Sequence, residues 1–114
     1  SVNCPLTTAT KGLLSSQRLK LMTKDSYLIN SSRSEIVDEK ALAYMLKEKK
    51  IAGAGLDVFS RRKDDTSQLL ELSNTILIPH MGSATIEGRI EMGEKVIVNI
   101  KTYIDGHNPP NRII

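Results

Sequence analysis

Thr75-Ile76-Leu77-Ile78-Pro79-His80-Met81-Gly82-Ser83-Ala84-Thr85 decides how the rest of this chain is read. Thr75 to Ile78 are β-prone or apolar and stop at Pro79, which predicts a short buried strand rather than a helix. His80 then falls just past the strand's carboxyl end. Gly82 supplies a turn, and Ser83 is placed to cap a helix spelled by the residues that follow. In open α/β sheets ligands bind outside the carboxyl ends of the strands, where helix N-termini offer free N–H groups to anions. His80 is therefore a candidate site residue, although the pattern alone favours a partly buried linker histidine.

Upstream, two more short apolar runs fit the same sheet. Tyr27-Leu28-Ile29 reads as a buried strand ending at Asn30, and the loop Ser31-Ser32-Arg33-Ser34 follows it. Asp38 is placed to cap a helix running to about Lys49, whose apolar residues Ala41, Leu42, Met45 and Leu46 fall at helical spacing. Gly53-Ala54-Gly55-Leu56-Asp57-Val58-Phe59 is the next strand, with glycines where strand and helix must approach closely. Strand, helix, strand is a βαβ unit, so these strands should be parallel. Asp57 stands out among apolar neighbours, because an unpaired buried carboxylate costs on the order of a few kcal/mol. It either points outward from an edge or serves a site near Arg33 and His80.

The flanks complete the pattern. Val2-Asn3-Cys4-Pro5-Leu6-Thr7 reads as a strand end entering a loop, which predicts earlier βα units upstream. Ser15 or Ser16 can cap a short helix carrying Leu19 and Met22. Leu69-Leu70 predicts a helical turn within an otherwise polar stretch from Ser60 to Asn74. From about Ala84 to Asp105, Ile86, Ile90, Gly93, Ile97, Ile100 and Ile104 mark one long amphipathic helix. Gly106 suits its C′ position, and Asn108-Pro109-Pro110 should leave in an extended path toward another domain or subunit.

Composition narrows the function classes. With 39% hydrophobic and 25% charged residues among 114, the chain should fold as one domain at most. A single cysteine, Cys4, allows no internal disulfide and has no ligand-spaced cysteine partner, which argues against a zinc site and fits a cytoplasmic setting. No run is long enough for a membrane-spanning helix. Net charge is +3 and the pI about 9.1, but the cations are interleaved with carboxylates. Arg61-Arg62-Lys63, for example, runs straight into Asp64-Asp65. With one Phe, three Tyr and no Trp, a base-stacking surface is hard to build, so nucleic acid is not the expected partner.

Five segments together carry a resemblance: Cys4-Pro5-Leu6-Thr7, Ile29-Asn30-Ser31-Ser32-Arg33, Val37-Asp38-Glu39, Gly53 to Phe59, and Pro79 to Thr85. In order and spacing they resemble the D-isomer-specific 2-hydroxyacid dehydrogenases, most of all the glyoxylate and hydroxypyruvate reductase branch. The resemblance implies an α/β fold: the later half of a Rossmann-like, doubly wound parallel sheet with a long C-terminal helix. Residues 1–106 would be the C-terminal portion of an NAD(P)-binding domain, and 107–114 a tail returning toward a substrate domain. It implies hydride transfer between NAD or NADP and a small 2-keto or 2-hydroxy acid, with a homodimer or a missing N-terminal half as partner.

By the same resemblance His80 is the general acid at the carbonyl oxygen, and Arg33 grips the substrate carboxylate and carbonyl. Both types suit the task, since histidine exchanges protons near neutrality and guanidinium binds a carboxylate through two parallel hydrogen bonds. Asp57 corresponds to the position that meets the nicotinamide carboxamide. Pro5, Ser31, Ser32, Arg33, His80, Gly82 and Ser83 line the cofactor side, and no metal is implied. Arg62 stands where the family places a glutamate that assists the histidine, with Asp64 or Asp65 as possible substitutes. The glycine-rich phosphate turn and the residue choosing NAD or NADP are not in this sequence. The expectation is a chain that by itself neither holds dinucleotide tightly nor turns over.

Overall fold

The computed structural model describes residues 1–60 and 68–113. The chain divides into two units, Ser1–His80 and Met81–Ile114. The first contains α1 (Ser16–Leu19), β1 (Tyr27–Asn30), a 3-10 turn (Ser34–Ile36), α2 (Glu39–Lys47), β2 (Gly53–Leu56) and β3 (Thr75–Leu77). The three strands form one parallel sheet in the order β1-β2-β3, with Leu28 opposite Ala54 and Leu56 opposite Leu77. Val2 adds a parallel bridge to Asn30 on the outer side of β1.

One face of this sheet makes the core. Leu28, Ala54 and Leu56 cluster with Leu42, Met45 and Leu46 of α2 and with Ile36, Ile51 and Leu69. Asp38 caps α2 as its sequence position predicts, its carboxylate accepting the Ala41 N–H at 3.0 Å. Such a cap stabilises a helix by ~1 kcal/mol. Residues 68–70 are helical, with Leu69 fully buried and Leu70 exposed. Among the described residues no helix is long and apolar enough to cross a membrane.

Several expectations are corrected. The helix α2 stops at Lys47 rather than Lys49, because Lys49 turns into the left-handed region at φ 51°. Its N–H donates to Leu46 O at 3.1 Å, and Lys50 N–H to Met45 O at 2.8 Å, which closes the helix end. The β2 strand ends at Leu56, leaving Asp57 just beyond it, and Asp57 is 7% exposed rather than turned outward. The third strand ends at Leu77 and is not buried; Ile76 is 71% exposed. The glycines of β2 answer to neighbouring strands, not to a helix. A Cβ on Gly53 would sit 3.0 Å from Asn74 O and 3.2 Å from the Tyr27 ring, and one on Gly55 3.0 Å from Ile29.

The second unit is α3 (Ile86–Ile104) with its flanking turns. Ser83 does not cap this helix; Thr85 does, its hydroxyl accepting the Gly88 N–H at 3.0 Å. The chain first completes a turn in which Ala84 N–H donates to Met81 O, so the helix begins later than Ser83 can reach. Its apolar residues are exposed and none of its side chains is buried. At the other end Gly106, at φ 79°, lets its own N–H reach Tyr103 O and His107 N–H reach Thr102 O. The tail does not run out extended. It turns at Pro109 and is held back on the helix by Asn99, whose amide exchanges two hydrogen bonds with Asn111, each 3.1 Å.

Candidate active site

Two loops leave the carboxyl end of the sheet's first unit and meet at Arg33. The first follows Val2. Its Pro5 carbonyl accepts the Thr10 hydroxyl at 2.6 Å, which fixes the bend before Thr7. The second follows β1, where the Ser31 hydroxyl donates to Asn3 Oδ1 at 3.1 Å and the Ser32 hydroxyl donates to the Cys4 carbonyl. Between them lies a cleft of about 490 Å³ walled by Asn3, Cys4, Pro5, Leu6 and Ser31 to Arg33. Its lining mixes the polar Asn3, Ser31, Ser32 and Arg33 with the less polar Cys4, Pro5 and Leu6.

A second cleft, of about 450 Å³, opens on the other side of Arg33. Ser34, Glu35, Asp57, Val58, Phe59, Pro79 and His80 complete its lining. Arg33 thus borders both clefts, and its Nη1 donates to the Ser32 carbonyl at 2.7 Å. Asp57 joins the two strands behind this cleft. Its N–H donates to Asn30 O at 2.9 Å, and its own carbonyl accepts the His80 N–H at 3.0 Å.

His80 is the strained member. Its φ of 56° lies in the left-handed region, uncommon for a residue with a side chain. The same N–H also reaches Ile78 O at 3.0 Å across Pro79, so the strand ends in a tight turn that throws the imidazole out to solvent. Strain of this kind concentrates at functional sites. Glu35, on the same rim, has its carboxyl held below the usual carboxylate range, first by its own backbone N–H and then by the Ser34 hydroxyl at 3.0 Å.

Of the residues singled out in the sequence, Pro5, Ser31, Ser32, Arg33, Asp57 and His80 all line one or other cleft. Gly82 and Ser83 lie in the second unit, within the turn before α3. Arg62, Asp64 and Asp65 lie outside the described residues. Sequence reasoning passed over Asn30, which is buried and bonded to both Ser32 and Arg33, and Glu39, whose two carboxylate oxygens accept the Ser60 N–H at 2.9 and 3.0 Å. The signal for Asn30 was present: an amide at a strand's end, directly before the loop that carries the arginine. Among the described residues no group of three or more His, Cys, Asp or Glu is arranged to hold a metal ion.

The chain is similar to known proteins in sequence and in fold. The family described as "D-isomer specific 2-hydroxyacid dehydrogenase, NAD binding domain" matches residues 1–82. A glyoxylate reductase of Thermococcus litoralis is 44% identical over 113 residues, which cover 99% of this chain and 34% of that protein. Among solved structures, an acyclic imino acid reductase in complex with NADPH and D-arginine superposes with a TM-score of 0.89 at 34% identity, covering 98% of this chain and 36% of its own. An NADPH-dependent glyoxylate/hydroxypyruvate reductase from Sinorhizobium meliloti, in complex with NADP and malonate, gives 0.76 at 36% identity, over 86% of this chain and 31% of its own. The chain spans about a third of the length of the curated relatives it matches.

Proposed function

The chain belongs to the D-isomer specific 2-hydroxyacid dehydrogenases through their NAD-binding domain, and from that premise we propose that it carries the catalytic half of a glyoxylate or hydroxypyruvate reductase. The observation that supports this is the second cleft, where a guanidinium and an imidazole border one space at the carboxyl end of parallel strands. Arg33 binds the carboxylate of a small 2-keto acid through paired hydrogen bonds. His80 holds the proton that passes to the carbonyl oxygen. A bound reduced nicotinamide, NADH or NADPH, supplies the hydride that the carbonyl carbon receives. Pro5, Ser31 and Ser32 line the cofactor side and Asp57 takes the carboxamide; the assignment of Gly82 and Ser83 to the cofactor rests on the resemblance alone.

In this reading residues 1–106 form the C-terminal portion of the dinucleotide domain and 107–114 lead back toward the substrate domain. The partner is an N-terminal half or a second copy, not nucleic acid, and the setting is cytoplasmic. The test supplies the N-terminal two thirds of the Thermococcus litoralis enzyme, fused or as a separate chain, and follows nicotinamide absorbance with glyoxylate and hydroxypyruvate. Turnover that His80→Ala abolishes supports the proposal, and turnover indifferent to His80 overturns it. Arg62 favours a second reading, a dinucleotide-binding module without catalysis. That reading gains if calorimetry detects NADH or NADPH binding and no turnover follows.

A further inference from the structure

Asn30 is the last residue of β1, 1% exposed, and both ends of its amide are engaged. Its Oδ1 accepts the Ser32 N–H at 3.0 Å, and its Nδ2 donates to the Arg33 carbonyl at 3.0 Å. A backbone donor on one side and a backbone acceptor on the other fix the orientation of the amide, since the reverse would face like against like. We propose that Asn30 is a positioning residue that sets the cofactor-side turn and the substrate-gripping arginine with one side chain. The proposal rests on the reading of Arg33 as the carboxylate grip.

The geometry explains why an amide is needed at this place. The loop 31–33 leaves the sheet with no strand partner of its own: the Ser32 N–H depends on the Asn30 side chain, and the Arg33 carbonyl is shared between Asn30 Nδ2 and the Ile36 N–H at 3.3 Å. Ser32 N–H is buried, and water cannot replace the lost acceptor. The Ser32 hydroxyl adds a tether from the opposite side, to Cys4 O. Arg33 itself is exposed, and among the described residues its guanidinium bonds only to the carbonyl of the residue before it. The backbone of Arg33 must therefore be held from below for the guanidinium to have a fixed origin. Asn30 also bonds through its carbonyl to Asp57 N–H, and Asp57 O bonds to His80 N–H. Three hydrogen bonds thus connect the backbone of Arg33 to that of His80, and the Asn30 side chain is the one link that substitution can cut.

Oxalate, a flat dianion shaped like a 2-keto acid, probes this on the chain as it stands. Nuclear magnetic resonance reads the Arg33 Nε–H during an oxalate titration and the exchange of the Ser32 amide. At pH 8, Asn30→Asp retains an acceptor for Ser32 N–H but turns an anion on the Arg33 carbonyl. Oxalate affinity should fall at least fivefold while the Ser32 amide stays slow to exchange. Asn30→Leu removes both bonds, and the Ser32 amide should exchange at least tenfold faster, with core amides of Leu28 and Leu56 reporting that the sheet is intact. A purely structural role would lose both readouts together in both variants, and that result overturns the proposal, as does wild-type oxalate affinity in Asn30→Asp. If the wild-type chain shows no oxalate response at Arg33, the substrate reading of Arg33 falls instead. The Ser32 amide then decides: unchanged exchange in Asn30→Leu overturns the positioning role, and faster exchange upholds it for the loop.

Discussion

The backbone N–H of His80 donates to the carbonyl oxygen of Asp57 at 3.0 Å, so the imidazole hangs from the carboxyl end of β2 as well as from β3. His80 itself takes a left-handed φ of 56°. A left-handed residue with a Cβ costs roughly 1–2 kcal/mol, and glycine none of that. Glycine also adds entropy to the unfolded chain, worth roughly 0.5–1 kcal/mol in the opposite direction. His80→Gly should therefore stabilise the chain by ~0.5–1 kcal/mol, His80→Asn should be nearly neutral, and His80→Val should destabilise it. Urea unfolding checks the order, and a His80→Gly chain less stable than wild type would show that the histidine side chain contributes more than its backbone costs.

Lys49 offers the same strain away from the site. It holds the left-handed position after α2 that glycine usually occupies, and its N–H and that of Lys50 close the helix. Lys49→Gly should raise stability by about 1 kcal/mol. Its ring-stacked neighbour Lys50, 4.6 Å from the Tyr44 ring centre, is untouched by the change. Thermal unfolding of the two proteins checks this, and an unchanged midpoint would mean that Lys49 makes compensating contacts.

What the sequence shows and hides is seen in these two residues. The strands were legible as short apolar runs closing at Asn30 and Pro79, whereas the run read from Gly53 through Phe59 is a strand only to Leu56, before Asp57. Left-handed turns at Lys49 and His80 were not, since neither is glycine, the residue type that marks such a position in a sequence. Ser83 and Thr85 are equally good caps by type; the Met81–Ala84 turn chooses Thr85. The fold-back of the tail depends on Asn99 meeting Asn111, a pairing no periodicity announces. Asn30 was read as a strand terminator, because a side chain that serves its own loop leaves no mark in hydrophobic patterning.

Glu35 makes a pH-dependent contribution whose sign is fixed. Its carboxyl is held below the usual range mainly by its own backbone N–H, with Ser34 second. A lowered folded-state value means stability that is present above the unfolded carboxylate pKa and is lost as pH falls through the folded one. Ser34→Ala should move the Glu35 titration upward while leaving it below the ordinary value, since the larger cause remains. Carbon-13 titration of the Glu35 carboxyl reads this directly. A return to the ordinary value in Ser34→Ala would make the hydroxyl the main cause.

Arg62 bears on the chemistry rather than the fold, and its placement stands on sequence alone. By resemblance a glutamate belongs there to assist His80. A carboxylate beside an imidazole favours the imidazolium, whereas a cation disfavours it. With an N-terminal half supplied, Arg62→Glu should raise reductase activity and extend it to higher pH, because the proton donor stays charged as pH climbs through neutrality. General acid catalysis is worth roughly two to four orders of magnitude, so even partial repair would be measurable as a tenfold gain or more. His80→Ala in the same background should erase that gain. If Arg62→Glu leaves rate and pH profile unchanged while His80→Ala still abolishes activity, then Asp64, Asp65 or no carboxylate assists His80, and position 62 is not the third member of the site.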